Sequence, residues 1–226
     1  MSRALRYDIP GADWRVCEDD VRAKGWSETF GRDVDRAPPL VVEIGFGRGE
    51  FLLNLAAQAP RVAHVGVEYS FKRVLKMARR LARTPLRNVR LLEARGELLV
   101  EELLAEQSVS VCWINFPDPW PKKRHARRRL LQPAFVRVLA RKLAPDGRLE
   151  IATDDPAYAE QIDAALAGER SLENALAPAR FLGEVPGRPP TAYELAWRAE
   201  GRPLHFWTYR RTSRTLPGCA STSGPS

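Results

Sequence analysis

From Leu40 to Gly168 the chain alternates between short apolar runs and longer segments whose apolar residues recur at helical spacing. The runs are LVVEI from Leu40, VAHVGVE from Val62, VRLLE from Val89, VSVCWIN from Val109 and RLEIATD from Arg148. Between and after them stand EFLLNLAAQA, SFKRVLKMARRLAR, ELLVEELLAE, PAFVRVLARKL and PAYAEQIDAALAG. Strands that alternate with helices of about ten or more residues pair in parallel and are covered on both faces. The pattern breaks near residue 180. ARFLGEV and RPLHFWTYRR then read as strands, with a short helix TAYELAWRAE between them, and predict an antiparallel pair at one sheet edge. The expected organisation is an α/β domain over 39–211 with a mostly parallel twisted sheet and helices on both faces. Residues 1–38 read as a polar N-terminal extension, and 212–226 have the composition of a disordered tail.

Charge and cysteines narrow the class. The 36 Lys and Arg against 28 Asp and Glu give a formal net charge of +8, which favours a polyanionic partner through counterion release. No apolar run approaches the roughly 20 residues of a membrane span, and the N-terminal stretch lacks the apolar core of a secretion signal. A cytoplasmic protein that binds no membrane is expected. Cys17, Cys112 and Cys219 are scattered, and His64, His125 and His205 do not join them at ligand spacing, so neither a disulfide framework nor a metal is expected.

The first apolar run ends in Glu43-Ile44-Gly45-Phe46-Gly47-Arg48-Gly49. Glycines let the backbone approach a ligand, and amides at the start of the next helix attract an anionic group. Glu43, at the strand end, can accept from an ammonium group. Glu68 closes the second run, about 20 residues on, where an acid suits two ribose hydroxyls. A dinucleotide fingerprint would read G-x-G-x-x-G, which counts against a nicotinamide-dependent oxidoreductase. Amides for a carboxylate, an acid for an amine and an acid for a ribose match S-adenosylmethionine. The E-x-G-x-G-x-G arrangement resembles motif I of the class I methyltransferases, and that resemblance implies their Rossmann-like fold. In that family an Asp or Asn after the third strand contacts the adenine. Here the position is Arg95, which has no acceptor, so Glu97 or the backbone is expected to take its place.

The fourth run leads into Asn115-Phe116-Pro117-Asp118-Pro119-Trp120-Pro121-Lys122-Lys123-Arg124-His125. Pro117 and Pro119 fix their own φ and bias Phe116 and Asp118 toward extended backbone, so Asp118 is held with little entropy left to lose. This stretch closely resembles the signature of the bacterial tRNA (guanine-N7-)-methyltransferases. The resemblance runs from about Leu40 to Tyr209 and includes Thr153-Asp154 and Thr191-Ala192-Tyr193-Glu194. It implies transfer of a methyl group from S-adenosylmethionine to N7 of the variable-loop guanine of tRNA. It implies Asp118 as the catalytic residue, with Glu43, Gly45, Gly47, Gly49, Glu68, Glu97, Asn115 and Asp118 at the cofactor. Lys122, Asp154, Thr191, Tyr193 and Glu194 would meet the substrate.

Lys123, Arg124, Arg127, Arg128 and Arg129 would extend a positive surface for RNA phosphate. Guanine N7 has a lone pair and no proton, so its methylation needs no general base. A carboxylate offsets the charge left on the ring and accepts from N1–H and N2–H₂. Trp120 either stacks on an extruded base or packs over the proline loop, whereas Trp113, mid-strand, reads as core. The alternatives are a methyltransferase acting on another nitrogen and a non-catalytic RNA-binding module. No obligatory protein partner is evident, and the chain is expected to be a monomer or homodimer.

Overall fold

A computed structural model of the chain describes residues 7–212; apart from Thr212, the expected tail lies outside the described residues. Eight strands form one sheet: β1 (Arg15–Val16), β2 (Arg36–Ile44), β3 (Val62–Glu68), β4 (Val89–Glu93), β5 (Val109–Asn115), β6 (Leu143–Thr153), β7 (Leu172–Asn174) and β8 (His205–Arg211). Their order is β1-β4-β3-β2-β5-β6-β8-β7, parallel from β1 to β6, with β8 antiparallel to both β6 and β7. The expected fold class is therefore observed: a mostly parallel α/β sheet whose C-terminal edge is antiparallel.

The helices are α1 (Glu18–Phe30), α2 (Glu50–Gln58), α3 (Phe71–Leu81), α4 (Gly96–Leu98, continued by a π turn over Leu99–Leu103), α5 (Pro133–Lys142), α6 (Pro156–Ala167) and α7 (Ala192–Ala199). Their starts follow from local chemistry. Pro133 and Pro156 occupy first-turn positions, where a missing N–H costs nothing. Asp155 caps α6 by accepting from the Tyr158 amide at 2.6 Å. Thr191 and Glu194 form a reciprocal capping box on α7.

Strand periodicity sorts side chains between two faces. On one face Val42, Ile44, Val65, Val67, Ile114 and Ile151 meet α1, α5 and α6 through Trp26, Phe30, Phe135, Val136, Tyr158 and Ile162. On the other, Leu52 and Ala56 of α2 and Val74, Met77, Ala78 and Leu81 of α3 cover Val89 and Leu91. Residues before the main sheet join the same core: Arg15–Val16 pairs with β4, and Trp26 Nε1 donates to the Leu103 carbonyl at 2.9 Å.

Three local expectations differ. The run 179–185 does not form a strand; it contributes a single bridge between Leu182 and Phe206, and the edge partner of β8 is the three-residue β7. Phe181 instead turns its ring onto His205 and Trp207, at 4.7 and 5.5 Å between centroids. Trp113 is half-buried and lies outside the core clusters, packed edge-on against Phe51 at 5.0 Å. Phe116 is not extended. It adopts φ +51°, because its amide donates to the Ala152 carbonyl at 2.8 Å and its ring packs on Trp197 at 4.8 Å.

Candidate active site

The C-terminal ends of β2 and β5 open into a cavity of about 350 Å³. It is lined by Glu43, Gly45 and Gly47 from one strand end and by Asn115 and Asp118 from the other, with Asp154, Thr191 and Tyr193 closing it. Ligands gather at this position in open α/β sheets. The glycine loop has the shape its sequence requires: Gly45, Gly47 and Gly49 have φ of +78°, +55° and +78°. A Cβ on Gly49 would stand 2.2 Å from Met77 Sδ, so only glycine lets α3 seat against the loop.

Two buried acids face this loop. Glu43 and Asn115 share a sheet face, since Glu43 registers with Trp113 and Ile44 with Ile114. Asn115 Nδ2 donates to Glu43 Oε1 at 3.1 Å, while Glu43 Oε2 is buried with no hydrogen-bond partner. Burial pushes the Glu43 carboxyl up to about 7; the Asn115 hydrogen bond and the Arg188 charge oppose it only partly. Glu68 is spoken for: it accepts from the Gly47 amide at 3.2 Å and the Ser70 amide at 3.0 Å, with Arg73 at 3.4 Å. It thus ties the glycine loop to the end of β3.

Asp118 is exposed at the cavity wall and, among the described residues, makes no hydrogen bond or ion pair. Its loop is held hard on both sides. Phe116 and Trp120 have φ of +51° and +43°, a strain of about 1–3 kcal/mol each. Arg129 is the fixing group. Its Nε donates to the Pro119 carbonyl at 2.7 Å, while Nη1 donates to Gln161 Oε1 at 2.9 Å and the Ala157 carbonyl at 3.2 Å. Arg129 is buried over the Tyr158 ring, so it does not extend the positive surface as its sequence neighbours do. Lys122, Arg124, Arg127 and Arg128 are exposed on and beside the turn Lys123–Arg128. Trp120 is half-buried, with Arg128 over its ring at 5.1 Å and His125 edge-on at 5.9 Å, and it does not line the cavity.

A buried arginine that the sequence reading missed links the two halves of the site. Arg188 Nη2 donates to Asn115 Oδ1 at 2.6 Å, Nη1 pairs with Glu194, and the guanidinium sits 4.9 and 5.0 Å from the Phe206 and Phe51 rings. Glu194 also takes Arg198 at 3.1 Å and is buried away from the cavity, while Thr191 accepts from its amide at 3.0 Å. Nothing in GRPPT marks Arg188 as buried; its only signal is a position three residues before the helix cap. Asp154 lines the cavity and pairs with Arg202 at 3.3 Å. Tyr193 is exposed, stacked on Trp197 at 5.5 Å, with Arg48 5.7 Å from its ring. Arg95 and Glu97 are both exposed, and Glu97 does not line the cavity.

The chemistry of this set is that of a methyl-transfer site. A buried carboxylate oxygen without a partner suits an ammonium group, and a fixed acid faces whatever enters from outside. The Gly45, Gly47 and Gly49 amides are already bonded, to Val67, Glu68 and Phe46. Solved structures agree on the fold. The chain resembles the 16S rRNA methyltransferase KamB with a TM-score of 0.59 at 18% identity, covering 84% of this chain and 94% of that one. It resembles the aminoglycoside resistance methyltransferase NpmB1 with a TM-score of 0.57, again at 18% identity, covering 84% and 93%.

Sequence similarity is more specific. Residues 37–207 match the family described as "Putative methyltransferase". Over 175 residues the chain is 40% identical to the tRNA (guanine-N(7)-)-methyltransferase of Leifsonia xyli, covering 77% of each. It is 37% identical over 173 residues to that of Syntrophotalea carbinolica, covering 76% of this chain and 74% of the relative. With that of Geobacter metallireducens it shares 34% over 188 residues, covering 83% and 87%. The chain belongs to the tRNA (guanine-N7-)-methyltransferase family.

Proposed function

We propose that this chain transfers the methyl group of S-adenosylmethionine to N7 of the variable-loop guanine of tRNA, in the cytoplasm. The observation that carries the reading is the pairing within one cavity of an unpartnered buried oxygen, Glu43 Oε2, and the carboxylate of Asp118. Asp118 is unpaired among the described residues and stands on a loop flanked by the left-handed Phe116 and Trp120. The residues fit the cofactor. Glu43 Oε2 would hold its ammonium group, and Glu68, already accepting from the Gly47 and Ser70 amides, would meet its ribose through its remaining lone pairs. When bound, the cofactor supplies an electrophilic methyl group on a sulfonium.

The protein's work is positioning and charge. Asn115 orients Glu43 and is itself oriented by Arg188. Asp118 accepts from guanine N1–H and N2–H₂ and offsets the positive charge that develops on the ring. Asp154 is a second acceptor at the cavity wall. Glu194, saturated by two arginines, serves by holding Arg188 rather than by meeting the base. N7 has no proton to remove, so most of the acceleration comes from alignment, which can supply about 7–11 kcal/mol. Incubation of a tRNA transcript with labelled S-adenosylmethionine, followed by digestion to nucleosides, tests it: the label should elute as 7-methylguanosine.

A further inference from the structure

α3 reads FKRVLKMARRL, with Lys72, Arg73, Lys76, Arg79 and Arg80 and no acid. Like charges four apart, as in Lys72/Lys76 and Lys76/Arg80, repel along a helix face. Three of the five have acids: Arg73 has Glu68 at 3.4 Å, Arg79 has Asp8 at 3.2 Å and Arg80 has Glu50 at 3.1 Å. Lys72 and Lys76 are exposed, and among the described residues neither has a carboxylate partner. Among the described residues Arg83, one turn on, donates only to the Arg79 carbonyl, at 3.0 Å.

Several exposed arginines elsewhere are neutralised, although Arg32, Arg87, Arg95 and Arg170 are exposed without a carboxylate partner among the described residues. Arg22 has Glu102 at 2.6 Å, Arg180 has Asp163 at 2.7 Å, and Arg61 and Arg210 have Asp35 and Glu173.

Location gives this row its meaning. α3 leaves the C-terminal end of β3 and lies along the glycine loop, with Met77 under Gly49 and Arg80 donating to the Arg48 carbonyl at 3.2 Å. Arg48 lines the cavity. The basic turn Lys123–Arg128 follows β5, and β3 and β5 flank β2 on opposite sides. Unpaired positive charge therefore stands on both flanks of the cavity. A nucleotide inside a folded RNA has backbone on both its 5′ and 3′ sides, so an enzyme that acts on it meets phosphate in two directions.

We infer that the exposed face of α3, through Lys72, Lys76 and Arg83 with Arg48 at its cavity end, grips the substrate RNA backbone on the flank opposite the 123–128 turn. This rests on the tRNA reading above.

The test uses the full chain and a labelled tRNA transcript, with affinity measured between about 50 and 200 mM salt. The Lys72→Glu/Lys76→Glu variant should bind at least tenfold more weakly at the low-salt end. The slope of log affinity against log salt should be shallower by about 1–2. The rise in melting temperature with S-adenosylhomocysteine should match wild type, which shows that fold and cofactor pocket survive. If charge reversal prevents folding, Lys72→Gln/Lys76→Gln should show the same direction with a smaller loss. A variant that keeps wild-type affinity and slope, beside a wild type that methylates tRNA, overturns the α3 surface and leaves the activity standing. A wild type that does not bind tRNA overturns both.

Discussion

Asn115 Nδ2 donates to Glu43 Oε1 at 3.1 Å, leaving Glu43 Oε2 buried and unpartnered at the floor of the cavity. One hydrogen bond therefore aims the carboxylate, and its second oxygen is available to a bound cation.

The first consequence is a pH dependence. Burial raises the Glu43 carboxyl from 4.5 to about 7. Its contribution to stability is fully present below its ordinary value and is lost as pH rises toward about 7. A bound ammonium group favours the ionised form, so cofactor binding expels a proton where Glu43 is still protonated. Affinity for S-adenosylhomocysteine should rise with pH up to about 7 and then level off. Calorimetry in buffers of different ionisation enthalpy should show proton release at pH 6 that disappears in Glu43→Gln.

Arg188 is the second test. Replacement by Met leaves Asn115 Oδ1 without its donor and Glu194 buried with only Arg198. Breaking a buried pair from one side costs about 3–5 kcal/mol. Urea unfolding should show a loss in that range, and affinity for S-adenosylhomocysteine should fall as Asn115 loses its orientation.

Arg129 acts through Pro119 rather than through RNA. Arg129→Met should lower turnover at least tenfold by loosening the Asp118 loop, since small misplacements at a reacting centre are costly. The salt slope of tRNA binding should stay at the wild-type value. For Arg124→Glu, which is exposed, the slope should become shallower.

Asp118→Ala should reduce turnover by about 10²–10³, the scale of removing one preorganised charge-stabilising group. Cofactor affinity should change little. Single-turnover rates together with S-adenosylhomocysteine titration separate the two.

The fold was legible because buried parallel strands read as unbroken apolar runs and their crossover helices repeat at helical spacing. β7 was not legible, because three residues carry no period, and Phe181 lost its strand to ring packing on His205 and Trp207. Acids at a strand end and between prolines are conspicuous in the sequence, and Glu43 and Asp118 do line the cavity, whereas Glu68 ties the glycine loop to β3.

Arg129 and Arg188 could not be picked out in the same way. An arginine that binds phosphate and one that pins a loop have the same letter, and burial is decided by partners remote in sequence, Gln161 for one and Asn115 for the other. The left-handed Phe116 was hidden for a similar reason, since its bond to Ala152 and contact with Trp197 override the bias of the following proline.

The central claim is that N7 itself is the acceptor. Two tRNA transcripts, one normal and one with 7-deazaguanine in place of guanine, are incubated with labelled S-adenosylmethionine. The account predicts label in the normal transcript alone, because 7-deazaguanine has no nitrogen at that position. Equal label in both transcripts would contradict it and move the target to another atom.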